Sequence, residues 1–262
     1  EEQTGGQLLA IPHNGNLSNG RMFQDTQFDG SPITSEWAET RARYETVIEA
    51  TQTKGDGEAH PFLSPNDEFA DYETWDQGNL NLTVPKDAQM LQYEYARSAL
   101  KIGLSVEDQV GVNPYRVGMI GSTDAHTGMA SAAEDNFFGK LPRVEPSAGR
   151  ATDIVVKFGD KAYMSADIAA SGYAAVWATE NTRETIFDAM ERRETYATTG
   201  PRIVLRFFGG WAFDPNDVLR PDYVAIGYTQ GVPMGADLIN APRGESPDFL
   251  IVASKDPKGA NL

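Results

Sequence analysis

The chain has 262 residues, of which 40% are hydrophobic and 10% aromatic, so it can bury a sizeable core and is not a disordered chain. Its formal net charge of −16 at pH 7 argues against a protein that coats nucleic acid, because such proteins carry a surplus of basic residues. Cysteine is absent, which excludes disulfides, thiolate metal sites and a cysteine nucleophile, so histidine and carboxylate side chains must hold any transition metal.

Strand and helix patterns alternate in the first part of the chain. Short apolar runs at 8–11 and 46–50 predict strands, and 34–43 between them predicts a helix with a hydroxyl residue at its start. The polar segment 51–84 is long for a loop inside a compact domain, and such loops are usually functional or covering elements. Residues 86–104 predict a second helix, since their apolar residues fall on one helix face.

The alternation continues to about residue 200. The run 117–120 predicts a buried strand, and 173–178 predicts another. Residues 181–193 predict a helix with Asn181 as its cap, and 194–198 predict a short strand after it. Strands and helices in alternation are typical of an α/β fold with parallel strands.

The pattern changes near Pro201. Residues 203–208 and 249–253 are rich in β-forming side chains, and no clear long helix lies between them. The sequence therefore predicts one region over 1–200 and a β-rich segment over 201–262. No apolar run is long enough for a membrane span.

The motif around His126 indicates a metal site. Asp124 and His126 follow the predicted strand 117–120 and lie two residues apart, so in extended backbone their side chains point to the same side. A carboxylate oxygen and an imidazole nitrogen placed so can bind one Zn, Mn or Fe ion. The alternative is a structural, hydrogen-bonded histidine, because an Asp-x-His triplet also occurs by chance.

The other two histidines stand in different settings. His13 follows the predicted strand 8–11 and is a predicted metal ligand on the same argument. His60 lies in a polar loop, where its ring either contacts a ligand or substrate or makes a hydrogen bond that orders the loop.

Six motifs give the chain a resemblance to a known family. With them it resembles the PHP (polymerase and histidinol phosphatase) superfamily, most closely the branch catalogued as domain of unknown function 3604. They cover nearly the whole chain and are 11–16 (IPHNGN), 52–61 (QTKGDGEAHP), 121–126 (GSTDAH), 136–140 (NFFGK), 175–184 (AVWATENTRE) and 193–202 (RETYATTGPR).

The resemblance implies a fold and a metal centre. The fold expected is α/β, the C-terminal part of a distorted (β/α)7 PHP-type barrel followed by a β-rich segment. Two or three divalent transition-metal ions (Zn, Mn or Fe) would lie at the C-terminal ends of the strands. The resemblance places His13 at the family's later histidine and Asp124 with His126 at its final Asp-x-His, and it suggests Glu49 as a further ligand.

The chain departs from the family pattern at its start. The family's early His-x-His, and its early Glu and His, have no counterpart, and both ends of the chain look cut, so we expect a fragment of a longer protein. Members resembling this chain often carry export signals. A periplasmic or extracellular location is therefore the expectation, although no signal peptide is visible.

The function expected from the resemblance is that of a metal-dependent hydrolase, a phosphoesterase whose metals activate water. Its partner would be a small anionic ester. Arg21 and Lys54 are candidates to hold the anionic group, and the alternative for both is a solvated cation in a loop. His60 is a candidate general acid or additional ligand. Lys140 is a further candidate for such a role and ranks below these three residues. Two alternatives stay open: an amidase or other hydrolase of non-phosphate substrates, and a non-catalytic module with an incomplete metal site.

Overall fold

The computed structural model describes residues 5–128, 137, 139–141, 147–168 and 172–259. Five helices and ten strands are described, together with short 3-10 turns. The helices are α1 (Ser35–Tyr44), α2 (Ala88–Leu91), α3 (Ala96–Val110), α4 (Arg183–Glu191) and α5 (Tyr223–Gln230). The strands are β1 (Val47–Gln52), β2 (Gly55–Asp56), β3 (Gly118–Gly121), β4 (Ile154–Phe158), β5 (Lys161–Met164), β6 (Tyr173–Val176), β7 (Thr195–Thr198), β8 (Val204–Gly210), β9 (Gly231–Pro233) and β10 (Asp248–Ser254).

The strands form four small sheets. Two of them have three strands, in the orders β2-β1-β3 and β10-β8-β9, and two have two strands, the hairpin β4-β5 and the β6-β7 pair, whose strands are connected through α4. Strands β1 and β3 run parallel, with Val47 opposite Gly118 and Glu49 opposite Ile120, and their register shifts between Glu49 and Thr51. This register shift marks an irregularity of the β-bulge kind, which changes the face that the following side chains point to.

The predicted barrel is wrong. A (β/α)7 barrel needs a closed ring of parallel strands, but within the described ranges β1 and β3 are the only strands that pair in parallel, and every other pair is antiparallel. The predicted strand 8–11 has no regular structure, and Leu8 and Ile11 are exposed. A short apolar run does not by itself determine burial, or the partner and direction with which a strand pairs, and this is where the prediction failed.

Several predicted elements are nonetheless present. Thr34 caps α1, since its hydroxyl oxygen accepts the N–H of Trp37 at 3.3 Å. The predicted helix 86–104 is two helices, because the extended backbone of Tyr95 separates α2 from α3. Helix α5 was not predicted; it packs on the sheet after Pro201, where the rings of Phe208 and Tyr228 meet edge to face at 5.1 Å. No described helix is both long and apolar enough to cross a membrane.

A core cluster anchors β1 under the helices. Ile48 of β1 packs with Phe23, Tyr115 and two alanines of α3, Ala96 and Ala99. The rings of Phe23 and Tyr115 meet edge to face at 5.7 Å, an arrangement that aromatic pairs favour. This packing fixes β1, and with it the polar side chains that β1 carries at its C-terminal end.

Glycines let the β6-β7 pair lie directly on β3. A Cβ atom at Gly121 would stand 2.7 Å from the carbonyl oxygen of Thr198 and 2.9 Å from that of Tyr173, which is too close for any side chain. Gly172 has a φ of +51°, and a Cβ atom there would stand 2.5 Å from the backbone nitrogen of Ser122. The β6-β7 pair therefore holds the end of β3 and the turn that follows it.

The substitution Gly121→Ala is expected to destabilise the protein by about 1–3 kcal/mol, because the added methyl group must push the β6-β7 pair away from β3. The matched control is Gly209→Ala, also in a strand, where the nearest atom to a new Cβ is 3.7 Å away and little effect is expected. Urea unfolding of both variants measures the difference. Equal stabilities would show that the β6-β7 pair does not pack on β3 as described.

Candidate functional site

The turn after β3 gathers charged side chains from three distant parts of the chain. Asp124 has a φ of +46°, in the left-handed region that aspartate tolerates better than most residues. The ammonium groups of Lys54 and Lys140 both donate to Oδ2 of Asp124. Lys140 Nζ also donates to the carbonyl oxygen of Asp124 at 2.6 Å and lies 3.3 Å from Nε2 of His126. The N–H of His126 donates to the carbonyl oxygen of Lys140 at 2.8 Å, which ties the two segments together.

The end of β1 supplies the second carboxylate. Glu49 accepts hydrogen bonds from the hydroxyl of Ser122, from Nε2 of Gln52 at 3.0 Å and from the N–H of Asn14 at 3.4 Å. Gln52 in turn contacts Lys54 Nζ at 2.9 Å. These side chains form one connected group, here called the Asp124 cluster: Glu49, Gln52, Lys54, Ser122, Asp124, His126 and Lys140.

A second buried ion pair, outside the cluster, helps to hold the backbone of Lys54 in place. Lys86 pairs with the fully buried carboxylate of Glu94 at 2.6 Å and donates to the carbonyl oxygen of Asn16 at 2.7 Å. The side chain of Asn16 donates to the carbonyl oxygen of Lys54 at 3.0 Å. The backbone of Lys54 is therefore held by a chain of hydrogen bonds that ends at a buried charge pair.

The two lysines of the cluster are buried, and the formal charges of the cluster balance. The side chains of Lys54 and Lys140 are only 10% and 7% exposed, and Asp124 and Glu49 provide two negative charges against their two positive ones. Burial, together with repulsion from Lys140, lowers the pKa of Lys54 to about 7. Burial also lowers the pKa of Lys140. The Lys140 ammonium lowers the pKa of His126, which favours the neutral imidazole that can accept a proton or bind a metal.

The spacing between Asp124 and His126 is that of two ligands of one cation. Oδ1 of Asp124 and Nε2 of His126 lie 3.3 Å apart, and two ligand atoms about 2.0–2.1 Å from one tetrahedral ion are separated by about that distance. Within the described residues, however, no group of three or more histidine and carboxylate side chains has metal-binding geometry. The described cluster thus offers two ligands, and a centre of two or three ions stays a prediction.

The remaining candidates from the sequence lie in different places. His13 is exposed beside Asn14, the residue whose backbone contacts Glu49. Arg21 is exposed, donates to the carbonyl oxygen of Phe28 at 3.3 Å and lines a separate cavity of about 390 Å³. Among the described contacts, neither His13 nor Arg21 reaches Asp124.

His60 has the contacts of a residue that orders its loop. Its Nδ1 accepts the N–H of Phe62 at 3.1 Å, so the ring proton belongs on Nε2, which lies 3.3 Å from a carboxylate oxygen of Asp76. The ring is buried and lies 5.2 Å from that of Tyr95. The described part of the chain shows no contact between His60 and the Asp124 cluster.

Sequence reasoning missed Gln52 and Ser122. We predicted that β1 ends at residue 50, but it continues to Gln52. The register shift after Glu49 brings the side chains of Glu49 and Gln52 within hydrogen-bonding distance of each other. A polar residue at the end of a strand does not indicate such a contact in the sequence, because the register shift breaks the alternation of side-chain faces on which the prediction depends. Ser122 is part of the GSTDAH motif, but the sequence alone indicates no role for it.

Comparison with known proteins places the chain in a family without a described function. A family model described as "Protein of unknown function (DUF3604)" matches residues 1–262, so the chain belongs to that family. No curated protein and no solved structure matches it. The relation to the PHP superfamily stays a prediction.

The substitution Asp124→Asn is expected to destabilise the protein by about 3–5 kcal/mol, because it leaves two buried ammonium groups without their shared carboxylate. Adding Lys140→Met should restore part of that loss, since one of the two unpaired charges is then gone. Urea unfolding of the single and double variants measures both effects. If the double variant is less stable than Asp124→Asn by the full cost of Lys140→Met alone, Lys140 and Asp124 are not coupled.

Proposed function

We propose that this member of the DUF3604 family is a metal-dependent hydrolase that acts on an anionic ester, with a phosphoester as the substrate class, at the Asp124 cluster. One observation carries the proposal: two buried lysines from distant parts of the chain converge on a carboxylate whose other oxygen lies at ligand spacing from a histidine nitrogen. Perturbed titratable groups brought together in this way are common at active sites.

Charge balance favours an anionic substrate. The four charged side chains of the cluster cancel, so a divalent cation on Asp124 and His126 would leave it with two positive charges. A phosphate monoester brings about two negative charges and accepts hydrogen bonds from ammonium groups. The chain as a whole carries a charge of −16 and repels anions, so a local positive site is needed for such a substrate.

Each side chain has a distinct role in this proposal. Asp124 and His126 would hold the cation, which supplies a bound water of lowered pKa when present. Lys54 and Lys140 would donate to the oxygen atoms of the anionic group. Glu49 is oriented by Ser122 and Gln52, so its carboxylate stands fixed beside the two lysines and is a candidate further ligand. An amide or neutral ester would leave the lysine charges without a counter-ion, which is why we rank the amidase second.

Activity should appear with phosphate mono- or diesters after reconstitution with Mn, Zn or Fe, and should fall by at least about 100-fold in His126→Gln, because the cation loses one of its two ligands. His126 is 58% exposed, so this variant is expected to fold normally. The control is Lys161→Met, which removes a lysine that contacts Gln77 outside the cluster. Nitrophenyl phosphates and nitroanilides, assayed side by side, measure the substrate class.

Elemental analysis of the same samples separates the alternatives. Bound metal in the wild-type protein that is lost in Asp124→Ala/His126→Ala supports the hydrolase. Metal with hydrolysis of anilides alone favours an amidase. A protein that binds no metal and hydrolyses none of these substrates contradicts the proposal and favours a non-catalytic module.

A further inference from the structure

Gln52 lies between the anionic and cationic halves of the Asp124 cluster. Its side chain is buried, with the residue only 3% exposed, at the C-terminal end of β1. Its Nε2 donates to Oδ1 of Asn14 at 2.7 Å and to Oε1 of Glu49 at 3.0 Å. Its Oε1 accepts from the backbone N–H of Lys54 at 3.0 Å and from Lys54 Nζ at 2.9 Å. The amide group is thus fully hydrogen-bonded.

These four partners allow one orientation of the amide. If the group were turned over, its NH₂ would face the two donors of Lys54, and its oxygen would face the two acceptor oxygens of Asn14 and Glu49. Turning it over would replace four hydrogen bonds by four repulsive contacts in a buried place, where unsatisfied polar groups are costly. The amide of Gln52 is therefore held in one orientation, and it restrains the side chains of Asn14, Glu49 and Lys54 that it contacts.

A neutral group at this position has a consequence for the charges. Lys54 and Glu49 have opposite charges and lie on either side of the same amide, yet Lys54 Nζ donates to Asp124, the more distant carboxylate in the chain. Gln52 satisfies one donor of Lys54 and one acceptor of Glu49 while keeping their charged groups apart.

We infer that Gln52 is a positioning residue, whose amide directs the ammonium of Lys54 towards Asp124 and keeps it from pairing with Glu49. The inference rests on the proposed function only for its catalytic consequence, namely that Lys54 stands ready for the anionic group of a substrate. The placement of Lys54 itself can be tested in the protein without any substrate.

The test measures how fast the Lys54 amine is acetylated by acetic anhydride at pH 7, with each lysine quantified by peptide mass spectrometry. Gln52→Leu removes the acceptor of Lys54 and should raise the rate at Lys54 by at least about threefold, the effect of losing one hydrogen bond. Gln52→Glu keeps the shape and the acceptor for Lys54, but it replaces the amide donor that faces Asn14 and Glu49 by a carboxylate oxygen. The negative charge that it adds beside Lys54 favours the protonated, unreactive amine. It should lower the rate by at least about threefold.

The opposite signs of the two changes distinguish positioning from a merely structural role. If Gln52 only filled space, both variants would loosen the site and change the rate in the same direction. Equal directions, or no change in either, would overturn the inference. The matched control is Gln77→Leu, whose amide donates to the carbonyl oxygen of Ala162 at 3.1 Å away from the cluster; it should leave the Lys54 rate unchanged.

Kinetics provides the second measurement and keeps the two proposals apart. If the wild-type protein hydrolyses phosphoesters, Gln52→Leu should lower kcat/KM by at least about tenfold, and Gln52→Glu should also lower it because its charge repels the anion. If no substrate is hydrolysed, the acetylation rates still decide on the placement of Lys54. Failure of the proposed function therefore leaves the test of Gln52 intact. Should Gln52→Leu fail to fold, the sign of the change in the isosteric Gln52→Glu variant decides alone.

Discussion

The shared carboxylate of Asp124 is the interaction on which the arrangement of the site depends. Two ammonium groups in a buried place repel each other, and burial makes each of them costly to keep charged. Asp124 offsets both costs with a single oxygen, and its backbone carbonyl takes a further hydrogen bond from Lys140. The side chains of residues 54, 124 and 140 meet at this carboxylate, while Phe137, three residues before Lys140, packs on an apolar cluster that includes Leu17 and Trp75.

The rest of the structure holds this point from two sides. Strand β1 is buried against α3, while the β6-β7 pair lies on β3 through glycines that allow backbone contact. Behind Lys54, hydrogen bonds through Asn16 and Lys86 lead to the buried carboxylate of Glu94. The charged side chains therefore lie on strand ends and turns that leave them little conformational freedom. Charges fixed in this way are what electrostatic preorganisation requires.

The sequence was informative about elements and about one motif, and much less about their assembly. The strands near 47, 118 and 195 and the helix capped by Thr34 follow from local patterns of apolar residues and caps. Asp124 and His126 do lie together, as their motif suggested, but not through the extended backbone on which that prediction relied, because Asp124 has a φ of +46°. The antiparallel pairing of β6 with β7 across the helix α4 does not follow from any local pattern, because strand direction is decided by contacts between distant segments. Gln52 was missed for the same reason, because its role exists only once its partners are in place, and Lys140 was ranked below the other candidates although it contacts Asp124 directly.

The register shift between Glu49 and Thr51 has a consequence for how this strand can vary. Side chains in a strand alternate between two faces, so the shift is what lets Glu49 and Gln52, three residues apart, reach one another. A substitution within 49–52 changes one side chain and leaves the geometry in place. The loss or gain of a single residue there would reverse the faces of all that follow, turning Gln52 away from Glu49 and Lys54 and placing a neighbouring threonine, Thr51 or Thr53, in its position. In this strand, length is a stricter constraint than composition.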